Sequence, residues 1–393
     1  MSRRIVVVGG GVVGLAVAER VTRDEPAAVV TVIEKEDGWA RHQTGRNSGV
    51  VHSGIYYPPG SAKARWCRAG ATALLRLAAD EGVPHAVTGK LVVATREAEL
   101  ARLAALHERG LANGLAVRRL GPDEAREYEP HVAALAALHV PETAVVDYPA
   151  LCRALVRRLE ARGARLMTGA TVLAAHHGPA HTVVETTAGS VTADVVVNCA
   201  GLHADRVARR LGHESSVRIV PFRGEYRELT PEAAHLVRGL VYPVPDPELP
   251  FLGVHLTRGV DGHVHAGPNA VLALAREGYR RRDVDRDLLA TLGDPGFWRL
   301  ARRHWRSGAT ELRRSASPRR FGDSLRALVP ALRDADLLPS PAGVRAQAVR
   351  RDGALVDDFL VERSGRCVHV LNAPSPAATA SLEIARHVAG LLP

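Results

Sequence analysis

The chain has 393 residues, 46% of them hydrophobic and 24% charged, which is too long for one ordinary core and too apolar for disorder, so two globular domains with a cleft between them are expected. A formal net charge of +10 suits an acidic substrate, an anionic surface or nucleic acid, but aromatic residues make up only 4% and no nucleic-acid-binding motif is present. Nucleic acid is therefore excluded as a partner. The cysteines Cys67, Cys152, Cys199 and Cys367 are scattered, without CxxC or a neighbouring His at ligand spacing, so neither a disulfide framework nor a metal site is expected. No secretory signal or run of transmembrane length is evident, which places the protein in the cytoplasm.

Residues 5–8 read as a short β-branched strand, followed by Gly9-Gly10-Gly11-Val12-Val13-Gly14 and a helical stretch over 15–21. A second apolar strand over 29–33 ends in Glu34-Lys35, at the roughly 20-residue spacing that brings a carboxylate to an adenosine ribose. In this strand, turn and helix order Gly9 makes the turn, Gly11 admits a pyrophosphate to the backbone, and Gly14 permits close helix packing. The helix N-terminus at Val12 and Val13 offers N–H donors and the positive end of its dipole. These features specify a dinucleotide.

FAD is expected rather than NAD, because Glu34 and Lys35 are followed by a loop suited to a flat ring. In Thr44-Gly45-Arg46-Asn47-Ser48-Gly49-Val50-Val51-His52-Ser53-Gly54-Ile55-Tyr56-Tyr57, glycines and small polar residues admit close backbone approach, and one imidazole and two phenols follow. Thr44, Asn47, Ser48 and Gly49 are the cofactor contacts expected there.

The spacing then predicts helices over 61–81 and 97–112 around a strand over 90–95, and Gly121-Pro122 and Glu129-Pro130 punctuate a connecting region. A helix over 148–162 precedes short strands over 165–167, 171–175, 182–187 and 191–198. Val172 and the small-residue turn Ala200-Gly201, ahead of a helix over 204–211, are further expected cofactor contacts. Strands over 217–229, 240–244, 251–257 and 263–266, separated by Pro-rich turns, read as an antiparallel substrate sheet. Residues 283–330 turn helical and basic around Trp298 and Trp305. A charged face with packed tryptophans is the ordinary reading. Tryptophan beside arginine also suits anionic lipid, so peripheral contact with the inner face of a membrane is carried beside it. Strands over 343–349, 355–361 and 367–371 lead to a final helix opened by Asn372-Ala373-Pro374-Ser375-Pro376-Ala377-Ala378-Thr379, with Pro376, Ala377, Ala378 and Thr379 expected at the flavin.

Assembled, these segments resemble the L-2-hydroxyglutarate oxidase/dehydrogenase family within the D-amino-acid-oxidase-like superfamily of FAD oxidoreductases. The resemblance runs end to end. It is carried by His42 through Gly54, Pro221-Phe222-Arg223-Gly224-Glu225-Tyr226, Phe251-Leu252-Gly253-Val254-His255-Leu256-Thr257-Arg258, Gly267 through Ala273, Gly343-Val344-Arg345-Ala346-Gln347-Ala348 and Asn372 through Thr379. It implies an α/β (α+β) fold: a Rossmann-like FAD domain from residues 1–85, 145–215 and 336–393, and an antiparallel-sheet substrate domain from 86–144 and 216–335. Arg345 matches the position that holds a substrate carboxylate, next to the flavin.

The reaction so implied is oxidation of an L-2-hydroxy dicarboxylate, with hydride passing to flavin while His52 or His255 takes the hydroxyl proton. Arg345 and Tyr242 are expected on the α-carboxylate, and Arg258 or Arg223 on the distal one. Dioxygen or a quinone would accept the electrons. The alternative is an amine or amino-acid oxidase on the same fold, and a third reading is an FAD-binding protein without catalysis.

Overall fold

The computed structural model describes residues 2–246 and 252–393. A six-stranded sheet runs in the order Leu360–Ser364, Cys367–Asn372, Val195–Asn198, Arg4–Val8, Val29–Ile33 and Arg165–Met167. All neighbours are parallel except the antiparallel pair at the Leu360–Ser364 edge. Alternation along Arg4–Val8 shows why it is buried on both sides. Ile5 and Val7 join the core formed with helices Val12–Asp24, Tyr148–Ala161 and Ser381–Ala389. Val6 and Val8 face Val172, Val184 and Val191 of an antiparallel meander, as the period of two requires.

The run predicted as one strand over 191–198 is two. Gly189–Ala193 closes the meander, while Val195–Asn198 enters the parallel sheet. Asp194 marks the change of sheet, and its carboxylate accepts from the backbone N–H and the guanidinium of Arg4.

The second sheet runs in the order Val271–Leu272, Val217–Leu229, Val264–Gly267, His255–Arg258, Leu240–Pro243, Lys90–Ala94, Ala136–Val140 and Arg118–Leu120, with Leu337–Arg350 also paired to Val217–Leu229. It is antiparallel throughout except at Leu240–Pro243, which pairs parallel with Lys90–Ala94. The purely antiparallel expectation is corrected there, because a connection of well over a hundred residues lets the two strands run the same way. Residues 337–350, expected with the FAD domain, thus extend the second sheet along its long strand. The strand expected over 251–257 begins at His255, and Phe251 lies outside the described residues. The helical basic region is present as Arg286–Leu292, Pro295–Arg303, Trp305–Ala316 and Pro318–Arg326. Among the described residues no helix is long and apolar enough to cross a membrane.

Candidate active site

A cavity of about 960 Å³ lies where the C-terminal ends of the parallel strands meet the second sheet, the position at which open α/β sheets bind ligands. Its volume is near the top of the usual range for ligand pockets, about 300–1,000 Å³. At the nucleotide end it is lined by Gly9, Gly11, Val12, Val13 and Gly14. Gly9 holds φ +115°, and a Cβ there would overlap the Cys199 carbonyl. One at Gly14 would overlap Gly9 O. The first turn of the helix therefore sits directly against the strand end, as a pyrophosphate cradle requires.

Glu34 lines the cavity, yet one carboxylate oxygen accepts from Gly10 N at 2.7 Å and the other from Glu36 N at 2.9 Å. It holds the glycine turn at the cavity wall. Lys35 is held in an ionic cluster, with Nζ 2.6 Å from Glu277 Oε1 and 3.0 Å from His42 Nε2. Glu36, His42 and Glu277 approach one another closely enough to ligate an ion; the Lys35 ammonium is paired with both carboxylates. Thr44 Oγ1 accepts from Val12 N at 3.1 Å, and Asn47 Nδ2 donates to Thr44 O at 2.8 Å, so the loop is tied to the helix tip.

Asn47, Ser48, Val172, Ala200, Gly201 and Pro376 through Thr379 all line the cavity. Gly49 does not: at φ +71° its N–H donates to Asn47 Oδ1, which makes it a turn residue. The final helix starts at Ser381 with Ala380 as its N-cap. The segment 376–379 therefore meets the cavity as a turn ahead of the helix, and Ser375 Oγ just before it lies 3.4 Å from His52 Nε2.

The far end of the cavity carries two imidazoles, two phenols and a guanidinium. His52, Tyr56, Tyr242, His255 and Arg345 all line it. His52 is anchored through its backbone, whose N–H donates to Thr379 Oγ1 and whose carbonyl accepts from Cys67 Sγ, while Nδ1 is buried without a partner. His255 shares Nδ1 with Gly253 O at 2.9 Å, which assigns the proton to Nδ1 and leaves Nε2 basic. Burial lowers both imidazoles to about 3; nearby Lys90 and His255 add to the effect at His52, and Arg345 and Lys90 at His255, against the Gly253 hydrogen bond. Both are neutral and able to accept a proton at pH 7. Arg345 sits opposite Phe222 on the long strand pair, and burial lowers its pKa without threatening its charge.

Two expected carboxylate binders stand elsewhere. Arg258 does not line the cavity and donates to Ala234 O and Val237 O, both at 2.9 Å. It is three residues from His255 on one strand, and an odd separation puts the two side chains on opposite faces. Arg223 is likewise engaged by Arg280 O and Glu225. The residue not foreseen is Lys90, 2% exposed and set against the rings of Tyr56 and Tyr242. A lysine heading an apolar run reads locally as the wet end of a strand, and only the pairing with Leu240–Pro243 brings it behind the cavity wall at Tyr242.

The glycine cradle at the parallel strand ends and the helix N-terminus are the features a dinucleotide requires, and the buried, unpartnered His52 Nδ1 is a polar atom that a ligand in the cavity could satisfy. A family model described as FAD dependent oxidoreductase, DAO, matches residues 4–391. The chain belongs to the DAO family of FAD-dependent oxidoreductases. Within it the chain is 45% identical to an L-2-hydroxyglutarate dehydrogenase of Indibacter alkaliphilus, over 98% of this chain and 97% of that protein. It is 43% identical to that of Escherichia coli K12, over 98% and 91%, and 40% identical to the human mitochondrial one, over 98% and 87%. These relatives place it in the L-2-hydroxyglutarate dehydrogenase group. The FAD-bound L-α-glycerophosphate oxidase of Mycoplasma pneumoniae shares the fold, with TM-score 0.81 at 23% identity over 100% of this chain and 95% of that one. So does the glycine oxidase of Geobacillus kaustophilus, with TM-score 0.75 at 20% identity over 99% and 95%.

Proposed function

We propose that this protein oxidises L-2-hydroxyglutarate to 2-oxoglutarate, with FAD held along the cavity from the Gly9–Gly14 turn to the loop around His52. The observation that carries the reading is the convergence on one cavity wall of a guanidinium, Arg345, and two neutral imidazoles, His52 and His255. The chemistry FAD supplies when bound is acceptance of a hydride. The chain's own part is to hold a carboxylate, take a proton and exclude water.

Arg345 holds the substrate's α-carboxylate with two parallel N–H donors, which fixes the α-carbon's orientation. His52 takes the hydroxyl proton as the hydride leaves, and its unpartnered Nδ1 and weakly held Nε2 leave it able to turn to a substrate. His255, with its tautomer assigned by Gly253 O, is the other candidate base. Tyr242 stands against Lys90 and His255.

Electrons then pass to dioxygen or a quinone. For a quinone, the exposed Trp298, Trp305 and Leu312, set among arginines of the helical region, support docking of this face on an anionic membrane. Product analysis tests the reading. Purified protein given L-2-hydroxyglutarate and an artificial acceptor is expected to form 2-oxoglutarate, whereas turnover of amino acids alone would replace the reading with the amino-acid oxidase alternative. Acceptor choice follows from comparing rates with dioxygen and a soluble quinone.

A further inference from the structure

Lys90 opens the strand Lys90–Ala94, and its Nζ stands 4.4 Å from the ring centre of Tyr56 and 4.9 Å from that of Tyr242. Among the described residues no carboxylate is paired with it. Two aromatic faces give back only part of what water gives an ammonium, and burial lowers Lys90 to about 7. Beside it, Tyr56 Oη is buried without a hydrogen-bond partner, and Tyr242 Oη is buried with only the Thr257 hydroxyl near it and no well-formed hydrogen bond. Buried polar groups are ordinarily satisfied, and this set consists of two phenols that line the cavity with His52 and His255 and one cation set directly behind their rings. An anion with several lone pairs satisfies all three at once.

We propose that Lys90, with the phenols of Tyr56 and Tyr242, forms a second carboxylate subsite, which takes the distal carboxylate of a dicarboxylate substrate while Arg345 holds the carboxylate beside the reacting carbon. This rests on the reading of the chain as an oxidant of a 2-hydroxy dicarboxylate. The arginines that would compete for the role are engaged by other acceptors: Arg258 donates to Ala234 O and Val237 O, Arg223 to Arg280 O and Glu225, and Arg109 to Tyr56 O. The subsite makes Lys90 a specificity residue. A monocarboxylate of the same backbone leaves the ammonium unanswered.

The test compares L-2-hydroxyglutarate with L-2-hydroxybutyrate. In Lys90→Met, which keeps side-chain bulk between the rings, the ratio of kcat/KM for the two substrates is expected to fall about 10- to 100-fold, the worth of one charge-assisted hydrogen bond. Lys90→Arg is expected to retain most of the ratio. An unchanged ratio in Lys90→Met, or an equal loss on both substrates, overturns the proposal. If that variant does not fold, the wild-type holoenzyme still decides: glutarate and butyrate are titrated against the flavin absorbance at about pH 6 and about pH 9, either side of the Lys90 value of about 7. The groups around Lys90 do not titrate between those limits. His52 and His255 lie near 3, Cys67 is pushed up to about 12, the Tyr56 and Tyr242 phenols are raised by burial, and Arg345 stays charged. The preference for glutarate is expected to weaken at the higher pH as the ammonium loses its proton, and a pH-independent preference overturns the subsite. Failure of wild-type protein to oxidise L-2-hydroxyglutarate, by contrast, overturns the proposed function, whichever way the titration falls.

Discussion

Tyr242 lies flat against His255, with ring centres 3.9 Å apart and planes 20° from parallel. The contact follows from sheet register: Leu240 pairs with Thr257 and Val241 with Leu256, so Tyr242 comes opposite His255 on the same face. The phenol ring thereby backs the imidazole whose Nδ1 is held by Gly253 O. Tyr242→Ala is expected to cost about 3–5 kcal/mol of stability, as truncation of a buried aromatic does, while Tyr242→Phe keeps the stack and costs far less. Denaturant unfolding of the two variants checks this, and equal losses would show that the hydroxyl rather than the stack matters.

Gly11→Val is expected to abolish FAD retention. Even a Cβ at this position would stand 3.1 Å from Thr44 Oγ1, and the two further methyls would occupy the space in which a pyrophosphate approaches the helix tip. Flavin absorbance of the purified variant is the measurement, and normal flavin content would remove the cradle from the account.

Arg345→Lys is expected to raise the apparent KM for L-2-hydroxyglutarate sharply. A single ammonium cannot replace the planar fork, and losing one charge-assisted hydrogen bond costs about 1.5–3 kcal/mol. Unchanged steady-state kinetics would mean that the α-carboxylate is held by another group.

His52→Ala is expected to keep FAD bound and slow flavin reduction by about 10²–10⁴-fold, the usual share of a positioned general base. The pH dependence follows from the sign of the shift. Burial depresses the imidazole to about 3, so the proton-accepting form is present throughout the neutral range, and the acid limb of kcat/KM falls well below the ordinary imidazole value of about 6.5. Wild-type reduction rates in the variant would assign the proton to His255, and loss of flavin would make His52 an anchor.

The nucleotide end of the site is legible in the sequence because it is local: strand, glycine turn, helix and a carboxylate at fixed spacing are all set within the first 34 residues. Val29–Ile33, Glu97–Ala112 and Val217–Leu229 are likewise bounded where hydrophobic period and turn residues put them. The substrate end is not local. Lys90 and Tyr242 meet only because two strands far apart in the chain pair in parallel, and no spacing rule reports such a neighbour. Arg258 is a different case: strand alternation sets its side chain on the face away from His255, and its charge alone does not bring it to the cavity. The run over 191–198 hid a change of sheet, because Asp194 interrupts the apolar pattern for one residue only.

Anaerobic stopped-flow reduction of the flavin-loaded protein tests the central claim most directly. Substrates are L-2-hydroxyglutarate, its D enantiomer, L-2-hydroxybutyrate and L-glutamate. The arrangement of Arg345 and His52 around one α-carbon predicts fast bleaching of the flavin by L-2-hydroxyglutarate, with the D enantiomer and the amino acid far slower. Bleaching by L-glutamate with none by L-2-hydroxyglutarate would contradict it.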